Sequence, residues 1–340
     1  MALKRYILRK GLEIALTFFS VTVIIFFLVR LIPGDPAYAA LGESATREQV
    51  ERFRSEMGFD KSLPEQYLIF LTNIFSGKLG LSGITLRDAM TDLLYYFPAT
   101  FELTIVSMVI ALSLGILLGV TAGLTNNEKV DNALSFFSIS GLSSPSFLVA
   151  ILLQVTVASQ LGLLPVTGRI ESMFVVPRVT GLMLIDSLLA GNLSAFLSAL
   201  RCLILPAFTL AFAPMATIMR LVRANTIKEK GKSYVATLKV NGLPNSLLKW
   251  RYLFPNVVSP ALTIAGLQFA NMLGGSFVIE TIFVFPGNGW LGVQAMIGKD
   301  INLIQGVALL ASIYFIICNF LVDFLHTRID PRIRFSEKAD

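Results

Sequence analysis

Two glycine-containing motifs could bind a nucleotide, but neither has the surroundings that such binding needs. Residues 287–292 read Gly-Asn-Gly-Trp-Leu-Gly, which fits the G-x-G-x-x-G pattern of dinucleotide sites. That site also needs a preceding strand and an acidic residue about 20 positions later. Here an apolar stretch precedes the motif and Ser312 occupies the acidic position. Residues 231–233 read Gly-Lys-Ser, the end of a P-loop, but Thr226 stands where the first glycine belongs. We therefore predict that this chain binds neither a dinucleotide nor ATP.

Residues able to do catalytic or metal chemistry are few. The one histidine, His326, is too little for a zinc site or a Ser-His-Asp triad. The two cysteines, Cys202 and Cys318, lie in or beside apolar stretches, which favours packing over a C-x-x-C site or a disulfide framework. We expect no catalytic residue, no metal site and no cofactor, so the chain is not expected to be an enzyme.

The composition indicates a protein that lies in lipid. Of the 340 residues 54% are hydrophobic and only 15% are charged, whereas soluble domains carry about a quarter charged residues. The mean hydropathy is +0.71. A soluble chain this apolar would have too little polar surface to cover itself.

Six stretches are long and apolar enough to cross a bilayer. A hydrocarbon core about 30 Å thick requires about 20 apolar residues in a helix, and backbone inside lipid must satisfy its own hydrogen bonds. The stretches cover approximately residues 11–32, 100–124, 133–161, 203–221, 257–283 and 303–325. The predicted fold is therefore an all-α membrane protein with six transmembrane helices.

The spans divide the chain into predicted parts. These are an N-terminal transmembrane helix at 1–32, an extracytoplasmic helical segment at 33–98, and a transmembrane core at 99–326. The core contains a cytoplasmic loop at 222–256, and a cytoplasmic tail follows at 327–340. The first span has a basic start and is followed by Ala37-Tyr38-Ala39, as in a cleaved signal peptide. Its apolar run is longer than a usual signal peptide contains, so we expect it to be retained.

Basic residues are distributed unevenly, and this predicts the orientation. Lys4, Arg5, Arg9 and Lys10 precede the first span. The loop between spans four and five has one acid, Glu229, and eight basic residues: Arg220, Arg223, Lys228, Lys230, Lys232, Lys239, Lys249 and Arg251. With six spans, both termini and this loop face the cytoplasm. The net charge of +6 thus reflects topology, and we expect no nucleic-acid partner.

The polar segment 33–98 is expected to form short helices outside the membrane. Three capping-box pairs mark their starts: Thr46 with Gln49, Ser62 with Glu65, and Thr85 with Asp88. The helices should end at Met57, about Phe75 and near Tyr96. A further outer segment covers 163–200, in which Val179 to Leu189 could lie along the interface. These segments are either connecting loops or a docking surface for an external partner.

Small residues predict where helices pack closely. The second span carries Ala111, Gly115, Gly119 and Gly123 at intervals of four, and the fifth carries Gly274 and Gly275. We interpret both sets as packing faces, although the pair in the fifth span could instead thin the helix beside a pore. Pro145 should kink the third span.

Ionisable residues within the spans lie near the ends: Glu13, Arg30, Glu102, Glu280 and Asp323. Snorkelling or capping accounts for most of them. A proton relay would need such groups near the midplane of the membrane. Their placement therefore argues against a proton-coupled transporter.

The segment 233–260 carries the most informative pattern. It predicts a short helix, a break at Gly242, a second helix started by Pro244 and a stop near Pro255. Apolar residues recur at helical spacing: Tyr234, Leu238, Leu247, Trp250 and Leu253. Two amphipathic helices meeting at a glycine would form a knob in the cytoplasm, or else a hairpin on the membrane surface.

At this segment the chain resembles the inner-membrane permeases of the dipeptide, oligopeptide and nickel ABC importer family. That family carries an E-A-A-x-x-x-G loop, and here Ala236-Thr237-Leu238 stands at E-A-A while Gly242 keeps the glycine. The glutamate is absent, so a role assigned to it does not carry over. A family variant fits better, with matches at Tyr234, Val235, Thr237, Gly242, Leu243, Arg251 and Asn256. Tyr252 replaces a frequent histidine.

The resemblance extends over nearly the whole chain. Five further stretches match in order, at residues 31–36, 97–103, 162–168, 280–287 and 330–334. It implies the first permease subunit of an ATP-driven importer, with a type I importer permease fold. The substrate would be a peptide, with nickel chelates, glutathione or oligosaccharides as alternatives.

The resemblance also implies partners and roles. The partners are a second homologous permease, two cytoplasmic ATPase subunits, an extracytoplasmic substrate-binding protein and the lipid bilayer. The loop around Gly242 would couple ATPase closure to alternating access. The outer loop or gate candidates are Glu280, Pro286, Gly287 and Gly289. An ATP-independent channel or secondary transporter, or a sensor subunit, remains as an alternative of another class.

Overall fold

The computed structural model describes residues 2–30, 45–58, 60–125 and 127–329, and this part of the chain is almost entirely helical. The predicted all-α class is therefore confirmed. The helices are α1 Ala2–Arg30, α2 Arg47–Met57, α3 Leu63–Phe75, α4 Ala89–Leu124, α5 Glu128–Ser143, α6 Ser146–Leu153, α7 Met183–Leu189, α8 Leu193–Lys230, α9 Ser233–Val240, α10 Asn245–Leu247, α11 Phe254–Gly275, α12 Phe277–Ile282, α13 Asn288–Ile297 and α14 Ile301–Ile329. Two π-helical stretches, Gln154–Gln160 and Leu248–Leu253, follow α6 and α10. The predicted motifs at 31–36 and 330–334, and Ala37-Tyr38-Ala39, lie outside the described residues.

Five helical segments are long and apolar enough to cross a membrane. They are Gly11–Leu28, Ala89–Leu124, Leu193–Lys230, Leu248–Gly275 and Ile301–Leu321. A sixth crossing exists if the bent pair of α5 and α6 with its π-helical extension counts as one span. Several crossings therefore extend beyond the stretches that hydropathy alone marks.

The third predicted span is two helices rather than one kinked helix. The axes of α5 and of α6 with its extension differ by 110° across the break at Ser144 and Pro145. Both residues are extended, with ψ of 127° and 134°. A proline ring disfavours the helical conformation of the residue before it, so the chain leaves the helix at Ser144 and begins a new one at Ser146.

The first two predicted capping boxes are present. Thr46 accepts from the Gln49 amide while the Gln49 side chain accepts from the Thr46 amide, at 3.3 and 2.9 Å. In the second box the Glu65 carboxylate accepts from the Ser62 amide at 3.1 Å. These caps open α2 and α3, and both helices end where the sequence predicts.

The third predicted capping box is wrong. Asp88 caps α4 by accepting from the amides of Met90 and Thr91, whereas the Thr85 hydroxyl donates to Asp92. No helix ends near Tyr96, because α4 continues through Pro98 to Leu124. A proline there removes one backbone hydrogen bond, and the helical turns on both sides of it hold the helix together.

The described residues form two compact units. The first comprises Met1–Thr100 and Pro286–Ile317. Its core is apolar, and Gly306 allows α14 to approach α4 so closely that a Cβ there would lie 2.5 Å from Leu93. Buried Asp300 accepts from the Ser82 hydroxyl at 2.6 Å, which fixes the loop before α4.

The second unit comprises Phe101–Phe285 and Cys318–Asp340. Helix α8 lies at its centre and contacts α5, α6, α7 and α11. Met215, Ile218 and Met219 on α8 are fully buried. Most of the residues singled out for function in the sequence lie in this unit, and those of the segment around Gly242 follow directly after the end of α8.

Candidate functional site

The segment 231–256 reverses direction at Gly242, as the sequence predicts. Gly242 has φ +77°, its amide donates to the Lys239 carbonyl at 3.0 Å, and the Leu243 amide donates to the Leu238 carbonyl at 3.1 Å. This pair of bonds is a Schellman motif, which ends a helix through a left-handed residue. A Cβ at Gly242 would meet no atom within 4 Å, so the need for glycine comes from φ alone.

An apolar core holds the segment together. Val235, Leu248 and Leu253 are buried, and Leu124 from the end of α4 packs against them. Leu238 and Leu243 also pack there, which is the apolar contact that accompanies a Schellman motif. The segment is therefore a compact knob with an apolar core of its own.

The predicted apolar stripe is wrong at Leu247 and Trp250, which are 41% and 58% exposed. The stretch Leu248–Leu253 is π-helical, and its bonds join residues five apart. This wider turn brings Leu248 and Leu253 to the core and moves residues at α-helical spacing outward. The predicted stop near Pro255 is also wrong, because the π-helical stretch runs directly into α11. Pro255 lies in the first turn of α11, where it removes one backbone hydrogen bond to the preceding turn while the helical turns on both sides keep the helix continuous.

A polar cluster ties the knob to the end of α8. The Tyr234 hydroxyl donates to the nearly buried Glu229 carboxylate at 2.9 Å, and Lys232 forms an ion pair with the same carboxylate. Asn256 at the start of α11 interacts with the Tyr234 hydroxyl. Burial and the bond to Glu229 raise the pKa of that hydroxyl. The family-matching Tyr234 and Asn256 thus meet in one cluster.

Sequence reasoning missed the role of Glu229. It lies five residues before Tyr234, outside the motif that carries the resemblance. One signal was available, since Glu229 is the single acid among eight basic residues of that loop. A lone acid in a basic stretch is a candidate for a buried or paired side chain.

The solvent-exposed face of the knob carries apolar and basic side chains. Ala236 and Thr237 are exposed, and Val240 is 86% exposed. Leu247 and Trp250 join Val240 on the surface, with the basic Lys239, Lys249 and Arg251. Because the inner face has its own core, this surface can contact another protein without unfolding the knob.

The glycines of α4 mark a close helix contact, as predicted. A Cβ at Gly119 would lie 2.7 Å from the Met219 carbonyl, and one at Gly123 would lie 2.5 Å from Thr226. Gly115 approaches Ile218 in the same way. Each glycine faces α8, so α4 and α8 pack backbone to backbone.

Gly274 and Gly275 do not pack in this way. A Cβ at either position would meet no atom within 4 Å, so the predicted packing role within the chain is wrong for this pair. Gly275 instead lines a cavity beside α8. The alternative interpretation, a thin part of the helix beside an open space, fits the structure.

The gate candidates are split between the two units. In the second unit, Glu280 is fully buried and accepts from the Ser276 hydroxyl at 2.6 Å. The left-handed residue nearby is Val284, with φ +47°. In the first unit, Gly287 is extended with φ −112° and precedes α13, and Gly289 lies inside that helix. Neither glycine has a positive φ, so neither uses the conformational freedom of glycine to form a tight turn.

Opposite charges meet at the outer end of the second unit, and the sequence pattern did not pair them. Arg169 donates to Glu102 at 2.6 Å and to the Gly181 carbonyl at 2.7 Å. The amides of Met183 and Leu184 also donate to Glu102. Glu102 therefore caps α7 from another helix and binds the arginine of the outer loop. The available signal was Glu102, an ionisable residue at the start of a long apolar stretch.

Asp186 on α7 orders the same outer loop. Its carboxylate accepts from the Thr180 amide at 2.7 Å, the Gly181 amide at 2.9 Å and the Thr180 hydroxyl at 2.6 Å. Burial raises the pKa of Asp186, but these hydrogen bonds outweigh it and hold the pKa below its ordinary value. The outer loop is thus fastened by two buried carboxylates.

Comparison with known proteins places the chain in a family. Residues 115–335 match the model of the binding-protein-dependent transport system inner membrane component, and residues 3–85 match the N-terminal model of such membrane components. The chain is 38% identical over 328 residues to the di/tripeptide transport system permease protein DppB of Pseudomonas aeruginosa, covering 96% of this chain and 97% of that protein.

Two further relatives are named for other substrates. The probable D,D-dipeptide transport system permease protein DdpB of Escherichia coli is 35% identical, with 92% of this chain and 93% of that protein covered. The glutathione transport system permease protein GsiC of Pectobacterium atrosepticum is 34% identical, with 97% and 99% covered. With these relatives and a helical chain that crosses the membrane several times, the protein belongs to the family of binding-protein-dependent transport system inner membrane components.

Proposed function

We propose that this chain is one permease subunit of an ATP-driven ABC importer for small peptides. The observation that carries the proposal is the knob 231–256. It has its own apolar core, it is bonded to α8 through Glu229, and it continues directly into α11. A rigid knob joined to two long helices is suited to passing a movement from a soluble partner to the membrane.

The proposed coupling acts through the exposed face of the knob. An ATPase subunit receives Val240, Trp250 and the neighbouring basic residues in a groove and moves them when it closes on ATP. Since α8 lies at the centre of the second unit and packs closely on α4, the movement reaches several crossings at once. Alternating access would follow from this rocking.

The proposal requires partners that this chain cannot replace. A second homologous permease completes the pathway, two ATPase subunits supply the energy, and an extracytoplasmic binding protein delivers the substrate. In this arrangement both termini and the knob lie in the cytoplasm of a cell whose inner or plasma membrane holds the assembly. The family name supports two parts of this proposal, the binding protein and the inner-membrane location.

Glutathione is a second candidate substrate because one relative carries that name. It is a small peptide, so both candidates share the peptide group. Nickel chelates and oligosaccharides share less chemistry with the substrates in the relatives' names.

The test is uptake into liposomes that contain the complete assembly. Labelled dipeptides should accumulate with ATP and binding protein present, and omission of either should abolish accumulation. Competition by glutathione ranks the second candidate. Uptake that is independent of ATP would favour a channel or secondary transporter, and no uptake under any condition would favour a sensor subunit.

A further inference from the structure

A cavity of about 170 Å³ lies in the second unit, beside the break between α5 and α6. Residues of α8 and α11 complete its walls. Four lining side chains carry free hydrogen-bonding groups: Ser144, Ser146, Gln268 and Asn271. The cavity therefore brings two amides and two hydroxyls together between helices that cross the membrane.

These four side chains form no hydrogen bond with any other part of the chain that the structure describes. A fifth lining residue shows the contrast, because the Thr209 hydroxyl donates to the Leu205 carbonyl at 2.8 Å. Polar groups within a membrane are costly unless they are bonded. Gln268 and Asn271 belong to a predominantly apolar crossing, so a molecule in the cavity can supply the hydrogen bonds that these side chains do not form within the described chain.

The chemistry of the cavity is neutral. None of its described lining residues is charged, so a charged group entering it would lose water without gaining a counter-charge. An amide side chain both donates and accepts hydrogen bonds, as a peptide group does. The lining therefore suits a peptide bond better than a charged terminus or a charged side chain.

We propose that this cavity is a transit site that binds the peptide backbone of the substrate and does not discriminate between substrate side chains. The proposal rests on the proposed function and names the part of the substrate that the permease recognises. Neutral hydrogen bonds give weak binding, which a transit site requires because the substrate must leave as well as enter. Side-chain selection would then lie outside this cavity.

The first experiment compares dipeptides in the complete reconstituted assembly. Gln268→Met and Asn271→Leu remove the amides with little change in volume, and Gln294→Met removes an amide from α13 that does not line the cavity. Uptake of Ala-Ala, Lys-Ala and Glu-Ala should fall by one common factor, about fivefold for each lost hydrogen bond, in both cavity variants. Gln294→Met should match the wild type. ATP turnover stimulated by binding protein should stay within about twofold of the wild type, because one neutral hydrogen bond in the membrane is lost far from the knob.

An analogue with a methylated peptide nitrogen sharpens the comparison. It cannot donate the backbone hydrogen bond, so its variant-to-wild-type uptake ratio should lie nearer one. The ratio cancels any preference of the binding protein, which is the same in both assemblies.

A second measurement keeps both amides of the cavity and does not rely on the uptake rate of a variant that lacks one of them. Ser146→Cys in the complete assembly should react with a small impermeant thiol reagent, and saturating dipeptide with binding protein should slow that reaction at least about threefold. Ser172→Cys, in the outer loop, should show no such protection, and the wild type reports any labelling of the native cysteines.

The outcomes separate this proposal from the proposed function. A common fall in uptake, together with protection of Ser146→Cys, supports the transit site. Unchanged uptake in both cavity variants, a fall that depends on side-chain charge, or unprotected Ser146→Cys would each overturn it while wild-type uptake leaves the importer role intact. Absence of ATP-driven dipeptide uptake by the wild type would overturn both.

Discussion

At the scale of single residues, Gly242 is required by its backbone angle, because the space around it is empty. A β-branched residue at φ +77° should cost about 1–3 kcal/mol, whereas asparagine tolerates the left-handed region. The pair Gly242→Val and Gly242→Asn therefore separates conformation from size.

We expect Gly242→Val to reach the membrane and bind its partner permease, but to lose ATPase recruitment or hydrolysis stimulated by binding protein. Gly242→Asn should retain most of both. Co-purification of the ATPases and ATP turnover in reconstituted membranes are the measurements. Normal recruitment and turnover in the valine variant would remove Gly242 from the coupling mechanism, and a membrane-surface hairpin would then be favoured.

The outer loop around Asp186 should depend on pH. The folded pKa of Asp186 is lowered, so its contribution to stability is present above the ordinary aspartate pKa of about 4 and is lost as pH falls below it through the folded value. Hydrogen exchange at the Thr180 and Gly181 amides, corrected for intrinsic rates, should therefore accelerate below about pH 4. In Asp186→Asn this added acceleration should be absent, and an equal pH response in both chains would contradict the assignment.

Single-residue features were predictable from sequence when the signal was local. The two capping boxes and the left-handed glycine depend on neighbours within a few positions, and the sequence shows those neighbours. The ion pair of Glu102 with Arg169 joins residues 67 positions apart, and the bond of Glu229 to Tyr234 requires the turn after α8. Partners of this kind are set by tertiary packing, which a single sequence does not display.

At the scale of elements, the contact of α4 with α8 is limited by backbone proximity. A Cβ at Gly119 would lie 2.7 Å from a backbone carbonyl, so the helices must separate to admit it. Gly119→Ala should destabilise the detergent-solubilised chain by about 1–3 kcal/mol.

Gly275→Ala is the matched control, since its Cβ enters open space. It should be neutral or stabilising by up to about 1 kcal/mol, because alanine favours the helix over glycine. Thermal unfolding followed by tryptophan fluorescence or aggregation measures both variants. Equal stability of the two variants would show that the contact at Gly119 does not limit how closely α4 and α8 pack.

Element boundaries were harder to predict than element identities. Hydropathy marks only the part of a helix that is apolar, so it missed the polar ends of α4 and α8, which extend to Ala89 and Lys230. Proline positions predicted helix ends where the helix continues and predicted only a kink where the helix ends. Pro98 and Pro255 lie within or at the start of continuous helices, whereas Pro145 separates two helices by a large angle, and only the packing around each decides which occurs.

At the scale of the whole molecule, the uneven basic residues predict sidedness. Ser62 lies before α3 in the segment expected outside, and Ser246 lies in the knob expected inside; both are exposed. Ser62→Cys should react with an impermeant maleimide added outside sealed cells or spheroplasts, and Ser246→Cys only after the membrane is opened. If both cysteines were labelled from the same side, the predicted topology, which has an odd number of membrane crossings between Ser62 and Ser246, would be refuted.

Most of the class and family was readable from composition and motif order, because lipid selects strongly for long apolar helices. The cavity beside Ser144 was not, since its lining comes from three separated stretches of the chain. The break at Pro145 creates it, and the sequence indicated only a bend there.

The length of α8 has a mechanical consequence. Its 38 residues extend about 57 Å at about 1.5 Å per residue, nearly twice the thickness of the hydrocarbon core. Such a helix acts as a lever, since a tilt of about 5° displaces one end by about 5 Å relative to the other, roughly the pitch of one helical turn. Pro206 and Pro214 each remove one backbone bond from it, and these are the points at which the lever would bend under load. A small angular movement of the knob is thus sufficient to produce a displacement of molecular size at the far surface.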